Sequence, residues 1–220
     1  MGARQDRKRA ADPRVLRSRS AVVEAARTLF LRDGYAGTTV EEIAALAGLA
    51  KRTVYNVYAD KDALFREIVD DIIDRAEAFA RELPGELAAD VTAEELPAAL
   101  HRLGERLARA ILHADVIALR RLLIGEARAF PELAREYFAR APGRVLDALT
   151  DRFEALTRAG VLCAPEPRQA AEQLAYLLIG APLDRALLAG DLPEEAEIDA
   201  HARAGVETFL MRFGRGRRDD

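Results

Sequence analysis

The sequence predicts an all-α protein, and three observations lead there. Ala, Leu, Arg and Glu dominate its 220 residues, aromatic residues make up only 6% and Trp is absent, a balance that favours helix over sheet. Apolar residues recur at three- and four-residue spacing in one stretch after another, which lays a stripe along a helix face. Proline and glycine fall mostly at the ends of those stretches, where helices start and stop. Half of the residues are hydrophobic, enough for a sizeable core in one large or two modest domains.

Residues 1–12 read as a disordered arm carrying Arg4, Arg7, Lys8 and Arg9. The first helix starts near Pro13 with Asp12 as cap, runs to Asp33 and stops at Gly34; Val22, Ala26, Leu29 and Phe30 form its buried stripe. Thr39 and Glu42 make the S/T-x-x-E capping box of the next helix, with Ile43, Leu46 and Ala47 on one face. Ala47-Gly48-Leu49-Ala50 is a tight turn in which Gly48 takes the left-handed conformation. A helix of roughly two turns follows over residues 51–58. Val54 and Val57 face inward there, while Lys51, Arg52, Thr53, Tyr55 and Asn56 offer donors outward. Two short helices joined by a glycine turn are the helix-turn-helix plan, whose second helix enters the major groove of DNA. On that plan Lys51, Arg52, Thr53 and Asn56 meet base edges: Arg or Lys matches guanine O6 and N7, and Asn matches adenine N6 and N7. Thr39, at a helix N-terminus, can bond a phosphate through its N–H and hydroxyl. The basic arm suits phosphates or the minor groove, or is a solvated tail.

Asp60 caps a long helix over residues 61–83, with Leu64, Phe65, Ile68, Ile72 and Phe79 along one side, and Pro84-Gly85 ends it. After a loop at residues 86–90, Thr92 with Glu95 opens a helix through Leu112 in spite of Pro97. Helices are expected over residues 115–130, stopped by Pro131, and 132–140, before a break at Pro142-Gly143. Two long amphipathic helices come next, residues 144–159 closing at Gly160 and residues 168–189 closing at Gly190. Their apolar sets, Val145, Leu146, Leu149, Phe153, Leu156 and Leu174, Leu177, Leu178, Ala181, are wider than one neighbouring helix requires, which means core or an oligomer interface. A last helix over residues 193–213 precedes a basic tail. The expected domains are an arm (1–13), a helix-turn-helix domain (14–66), a second helical domain (67–213) and the tail (214–220).

Charge is unevenly divided. Residues 1–66 hold 13 Lys and Arg against 8 Asp and Glu, a net +5, and the remainder holds 20 against 29, a net −9. A basic N-terminal third on an acidic body turns that third toward a polyanion. Cys163 is the single cysteine, which excludes an intramolecular disulfide and points to a reducing cytoplasm. No apolar segment of signal-peptide or membrane-span length occurs, so a soluble cytoplasmic protein is expected. His101, His113 and His201 are scattered without metal-ligand spacing, no phosphate-binding glycine loop occurs, and no catalytic set emerges; neither metal nor cofactor is expected.

Residues 22–67 resemble the DNA-binding domain of the TetR (tetracycline repressor) family of bacterial transcriptional regulators. The matching words are Ala25-Ala26, Leu29-Phe30, Gly34-Tyr35, Thr38-Thr39-Val40, Ile43-Ala44, Ala47-Gly48, Thr53-Val54-Tyr55 and Lys61-Asp62-Ala63-Leu64. In the C-terminal part, LLIGEARAFPELAREYFARAP and AAEQLAYLLIG are similar to the AefR-like group. The resemblance implies that Tyr55 and Lys61 bond phosphates, and that the chain forms homodimers through a four-helix bundle of long C-terminal helices. Leu146, Leu149, Phe153, Leu174, Leu177, Leu178 and Ala181 then become the expected interface. It also implies a pocket in the C-terminal domain whose small-molecule ligand shifts the helix that starts at Lys61. His113, Leu119, Leu123, Glu126, Phe130, Tyr137, Phe138 and Tyr176 lie on the helices expected to enclose it, and few are charged, which favours an apolar or aromatic effector. Arg120 or Glu126 alternatively forms an internal ion pair.

Four positions depart from the family pattern. Ala50 stands where a cap is usual, which costs on the order of 1 kcal/mol. Arg52 replaces a common Gly, Val57 a frequent His and Tyr58 a usual Phe, which puts the operator sequence beyond inference from relatives. The expected function is a repressor that binds a palindromic operator and is released by an effector. An activator of the same fold differs only in where its site lies relative to the promoter. An all-helical enzyme or small-molecule carrier with a vestigial helix-turn-helix is the reading from another class.

Overall fold

The computed structural model describes residues 13–88 and 90–215. Their elements are α1 (Pro13–Gly37), α2 (Val40–Leu46), α3 (Lys51–Val57), α4 (Lys61–Glu86), α5 (Leu96–Ile111), α6 (Ala114–Glu126), α7 (Pro131–Arg140), α8 (Pro142–Arg158), α9 (Pro167–Leu188) and α10 (Glu195–Phe213). Among the described residues the sole β pairing is an isolated bridge between Leu162 and Gly214, so the class is all-α. No helix among them is long and apolar enough to cross a membrane. The arm at residues 1–12 and the tail beyond Arg215 lie outside the described residues.

The chain divides into two compact units. The first comprises Met1–Asp71 and Leu122–Leu133, the second Ile72–Arg121 and Ala134–Asp220. In the first, the stripe of α1 (Val22, Ala26, Leu29, Phe30) is buried with Ile43, Val54, Tyr58, Leu64, Phe65 and Ile68. Gly34, at φ 78°, breaks the helical run inside α1, three residues before its end, and the Thr38 hydroxyl donates to its carbonyl at 2.9 Å. Phe65 contacts the rings of Phe30, Tyr35 and Phe130 at centroid distances of 5.9, 5.1 and 5.2 Å, so four aromatic side chains form one cluster. Arg19 of α1 donates to both carboxylate oxygens of Glu67 at 2.9 and 2.5 Å and to the Tyr58 hydroxyl at 3.3 Å, tying α1 to α4 and to the end of α3. Burial pushes the Tyr58 phenol up to about 12.

In the second unit α10 packs against α5 and α9, and α9 against α8. Leu103, Leu107, Leu149, Phe153, Leu174, Leu178, Val206 and Phe209 belong to one buried cluster, with Phe209 between Phe153 and Phe213 at 5.2 and 4.8 Å. The helices approach closely because small residues sit at the crossings. A Cβ added at Gly205 would lie 2.6 Å from the Leu177 carbonyl oxygen, a backbone atom that no rotamer change can move. Gly205→Ala is therefore expected to force α9 and α10 apart and cost about 1–3 kcal/mol, read as a lowered urea midpoint. At Gly104 the nearest atoms belong to side chains, Val206 Cγ2 at 2.9 Å and Leu178 Cδ2 at 3.0 Å, which can turn aside.

Several helix boundaries differ from the sequence expectation. α4 runs three residues past Leu83, through Pro84-Gly85 to Glu86. Pro142-Gly143 opens α8 instead of breaking the chain, proline being suited to a first helical turn. α6 ends at Glu126, where the amides of Ala129 and Phe130 both bond its carbonyl at 2.9 Å. The Thr92–Glu95 box is present, but α5 begins only at Leu96.

Candidate functional site

The helix-turn-helix is built as the local sequence dictates. Thr39 caps α2: its hydroxyl accepts from the Glu42 amide at 3.2 Å, and Glu42 accepts from the Thr39 amide at 2.8 Å. The turn reverses at Gly48, φ 68°, with the Leu49 amide closing onto the Ala44 carbonyl at 2.9 Å. α3 then starts without a side-chain cap at Ala50. Val54 is its one buried residue, Thr53 and Val57 are half-buried, and Lys51, Arg52, Tyr55 and Asn56 are exposed.

The partners of these side chains decide how free they are. Lys51 is paired with Glu41 of α2 and lies 5.7 Å from the Tyr55 ring centroid. The same contact holds the Glu41 carboxyl below its ordinary value and the Lys51 ammonium above its own. Both members are exposed, so the pair is weak and readily exchanged for a phosphate. Arg52 has no ion-pair partner among the described residues. Lys61 donates to the Tyr35 and Thr38 carbonyls at 2.8 and 2.9 Å and sits 4.1 Å from the Tyr35 ring centroid, leaving one of its three N–H donors. Thr39 likewise has its amide and hydroxyl engaged by Glu42.

The second unit contains a cavity of about 580 Å³. Its walls are largely apolar and aromatic: Ile72 and Phe79 of α4, Leu107 and Ile111 of α5, Val116 of α6, Tyr137 and Phe138 of α7, Val145 and Leu146 of α8, and Tyr176, Ile179 and Leu183 of α9. The polar lining is Arg75, His113, Arg120, Arg168 and Glu172. Arg168 is engaged by Asp147 at 2.7 Å and Glu172 at 2.9 Å. Arg120 has a buried Nη1 without a hydrogen-bond partner. An apolar pocket of this size with a few convergent polar groups is the usual form of a small-molecule site.

Residues 22–68 match the bacterial regulatory proteins of the tetR family, and residues 98–215 match the C-terminal domain of the AefR-like transcriptional repressors. A Mesorhizobium loti protein described as a TetR-family transcriptional regulator is 31% identical, covering 92% of this chain and 100% of its own, with a TM-score of 0.76. The chain belongs to the TetR family of transcriptional regulators.

Among other TetR-fold structures, the flavonoid-responsive regulator FrrA is 27% identical over 90% of this chain and 98% of its own, with a TM-score of 0.65. SmeT, the repressor of the Stenotrophomonas maltophilia multidrug efflux pump SmeDEF, shares the fold at 19% identity, covering 90% of this chain and 91% of its own with a TM-score of 0.62. None of the curated protein sequences matches.

Within this TetR-family chain, the residues expected at base edges, Lys51, Arg52, Thr53 and Asn56, do lie together on α3 with Tyr55. Of the eight residues expected around an effector, His113, Tyr137, Phe138 and Tyr176 line the cavity. Leu119, Leu123, Glu126 and Phe130 do not; Leu119 and Leu123 are buried, and Phe130 stands against Tyr35 and Phe65 in the first unit. Of the seven residues expected at a dimer interface, Leu149, Phe153, Leu174 and Leu178 are wholly buried in the core of their own unit, so they present no surface to a partner. Leu146 lines the cavity, Leu177 is half-buried and Ala181 is exposed. The sequence reasoning missed the polar lining, Arg75, Arg120, Arg168 and Glu172. For Arg120 a signal existed: with Arg121 it breaks the apolar run from Val116 to Ile124. It forms no ion pair among the described residues.

Proposed function

We propose that this protein is a ligand-responsive repressor that binds a palindromic operator as a homodimer and is released by a small apolar or aromatic effector. The observation that carries the DNA part is α3: it buries only Val54 and turns Lys51, Arg52, Tyr55 and Asn56 to solvent. One helix of 7 residues offers few base contacts, whereas two copies read half-sites about 34–36 Å apart. The cavity, and the flavonoid response of the similar regulator FrrA, support an effector with an aromatic body. It acts only through unequal affinity for two shapes of the protein, one of which holds α4 and hence α3 away from the groove spacing. A gel shift on the DNA upstream of its own gene, repeated across a salt series, tests this reading. Selective retardation that weakens as salt rises is expected, and binding that ignores sequence would sink it.

For dimerisation we propose the outer faces of α9 and α10, where Leu188 and Met211 are 84% and 81% exposed and Ala181, Ala200 and Ala204 are exposed beside them. Leu188→Glu with Met211→Glu is expected to move the protein from dimer to monomer mass in light scattering while its helical circular dichroism is retained. Unchanged mass would place the interface elsewhere.

A further inference from the structure

We propose that the effector is an aromatic acid, a carboxylate or an ionised phenol on a ring system, and that Arg120 takes its charged oxygen. This rests on the cavity being the effector site. Three arginines, Arg75, Arg120 and Arg168, line the cavity against one carboxylate, Glu172. Glu172 is already bonded to Arg168, which Asp147 holds from its other side, so those charges offset one another. The positive charge without a counter-ion among the described residues of this lining is that of Arg120, and a cationic ligand is repelled by it.

Arg120 is the sharper part of the argument. It stands on α6 among Val116, Ile117, Leu119 and Leu123, and it lines the cavity. Its Nη1 is buried, has no hydrogen-bond partner, and the side chain forms no ion pair among the described residues. A half-buried guanidinium with no counter-ion among the described residues is costly once its remaining water is removed, as a wholly apolar ligand would do. An oxyanion supplies the acceptor, and the planar fork of arginine meets a carboxylate through two parallel N–H bonds. The rest of the ligand is set by the walls: Phe79, Tyr137, Phe138 and Tyr176 offer ring faces and edges, and Leu146 and Ile179 fill between them.

The test is calorimetric titration of the full-length protein with three probes of one ring system: 2-naphthoate, its uncharged methyl ester, and 2-naphthylmethylammonium. The wild type is expected to bind naphthoate about 10- to 100-fold more tightly than the ester and to reject the ammonium. Arg120→Met, which keeps the length and removes the charge, is expected to erase the preference for the acid and leave ester binding within about threefold. Ester or ammonium binding as tight as naphthoate in the wild type overturns the proposal without recourse to any variant. A preference that persists in Arg120→Met also overturns it, and in both cases the cavity remains an effector site. Binding of none of the three overturns the proposal together with the cavity reading beneath it.

Discussion

Arg52→Ala is expected to weaken operator binding by about 30-fold at the least and by about 10⁴-fold at the most. One bidentate guanine contact contributes roughly 1–3 kcal/mol, and a homodimer loses it twice, giving roughly 2–6 kcal/mol. The residue is the natural choice for this contact: it is exposed on the first turn of α3, and no carboxylate among the described residues holds it back, whereas Lys51 has Glu41 to leave first. The loss should be confined to particular base pairs, so that a selection from random fragments returns an operator relaxed at one position of each half-site. Tyr55→Phe, which removes only a hydroxyl, should instead lower affinity evenly across sequences, the mark of a phosphate contact. Wild-type affinity of folded Arg52→Ala, measured by fluorescence anisotropy, would remove α3 from the groove.

The second large effect is expected far from any base. Phe65→Ala removes a fully buried ring that touches Phe30, Tyr35 and Phe130 at once. Such a truncation costs about 3–5 kcal/mol, against a total of about 5–15 kcal/mol for an ordinary domain. The first unit is small, and its core is this cluster with one stripe from α1 and the inner residues of α2 and α3. DNA binding should therefore disappear at temperatures where the second unit still melts cooperatively, giving a second, lower transition in calorimetry. Phe65→Leu, closer in volume, should recover most of the loss. A single unshifted transition for Phe65→Ala would show that the aromatic cluster contributes little.

How much could be read beforehand depended on whether the deciding interaction was local. The Thr39–Glu42 box and the reversal at Gly48 are settled within four residues, and both stand as the chain implied. Pro84 and Pro142 misled because a proline can open or close a helix according to where its missing donor falls, and residue order alone does not say which. Four of the seven interface residues lie in the core for a related reason. Periodicity showed that α8 and α9 each have a broad apolar side, but not that α5 and α10 already cover it around Leu149, Phe153, Leu174 and Leu178. Phe130 was assigned to a cavity by its helix, yet the chain turns at Glu126 and carries the ring to Phe65. Arg120 was visible as an oddity, and only three dimensions show that nothing among the described residues pairs with it.

The bare start of α3 has a consequence for how binding would register. With no side chain at Ala50 to close the first turn, the amides of Lys51 and Arg52 have no partner in a cap, and Thr53 alone folds back, onto the Ala50 carbonyl at 2.7 Å. Under the proposed reading, a duplex that reaches α3 meets an end already helical but held by one backbone bond, and docking would tighten it. Association of this kind is driven by heat release and opposed by lost chain freedom, and slowed amide exchange at the head of α3 would be its trace.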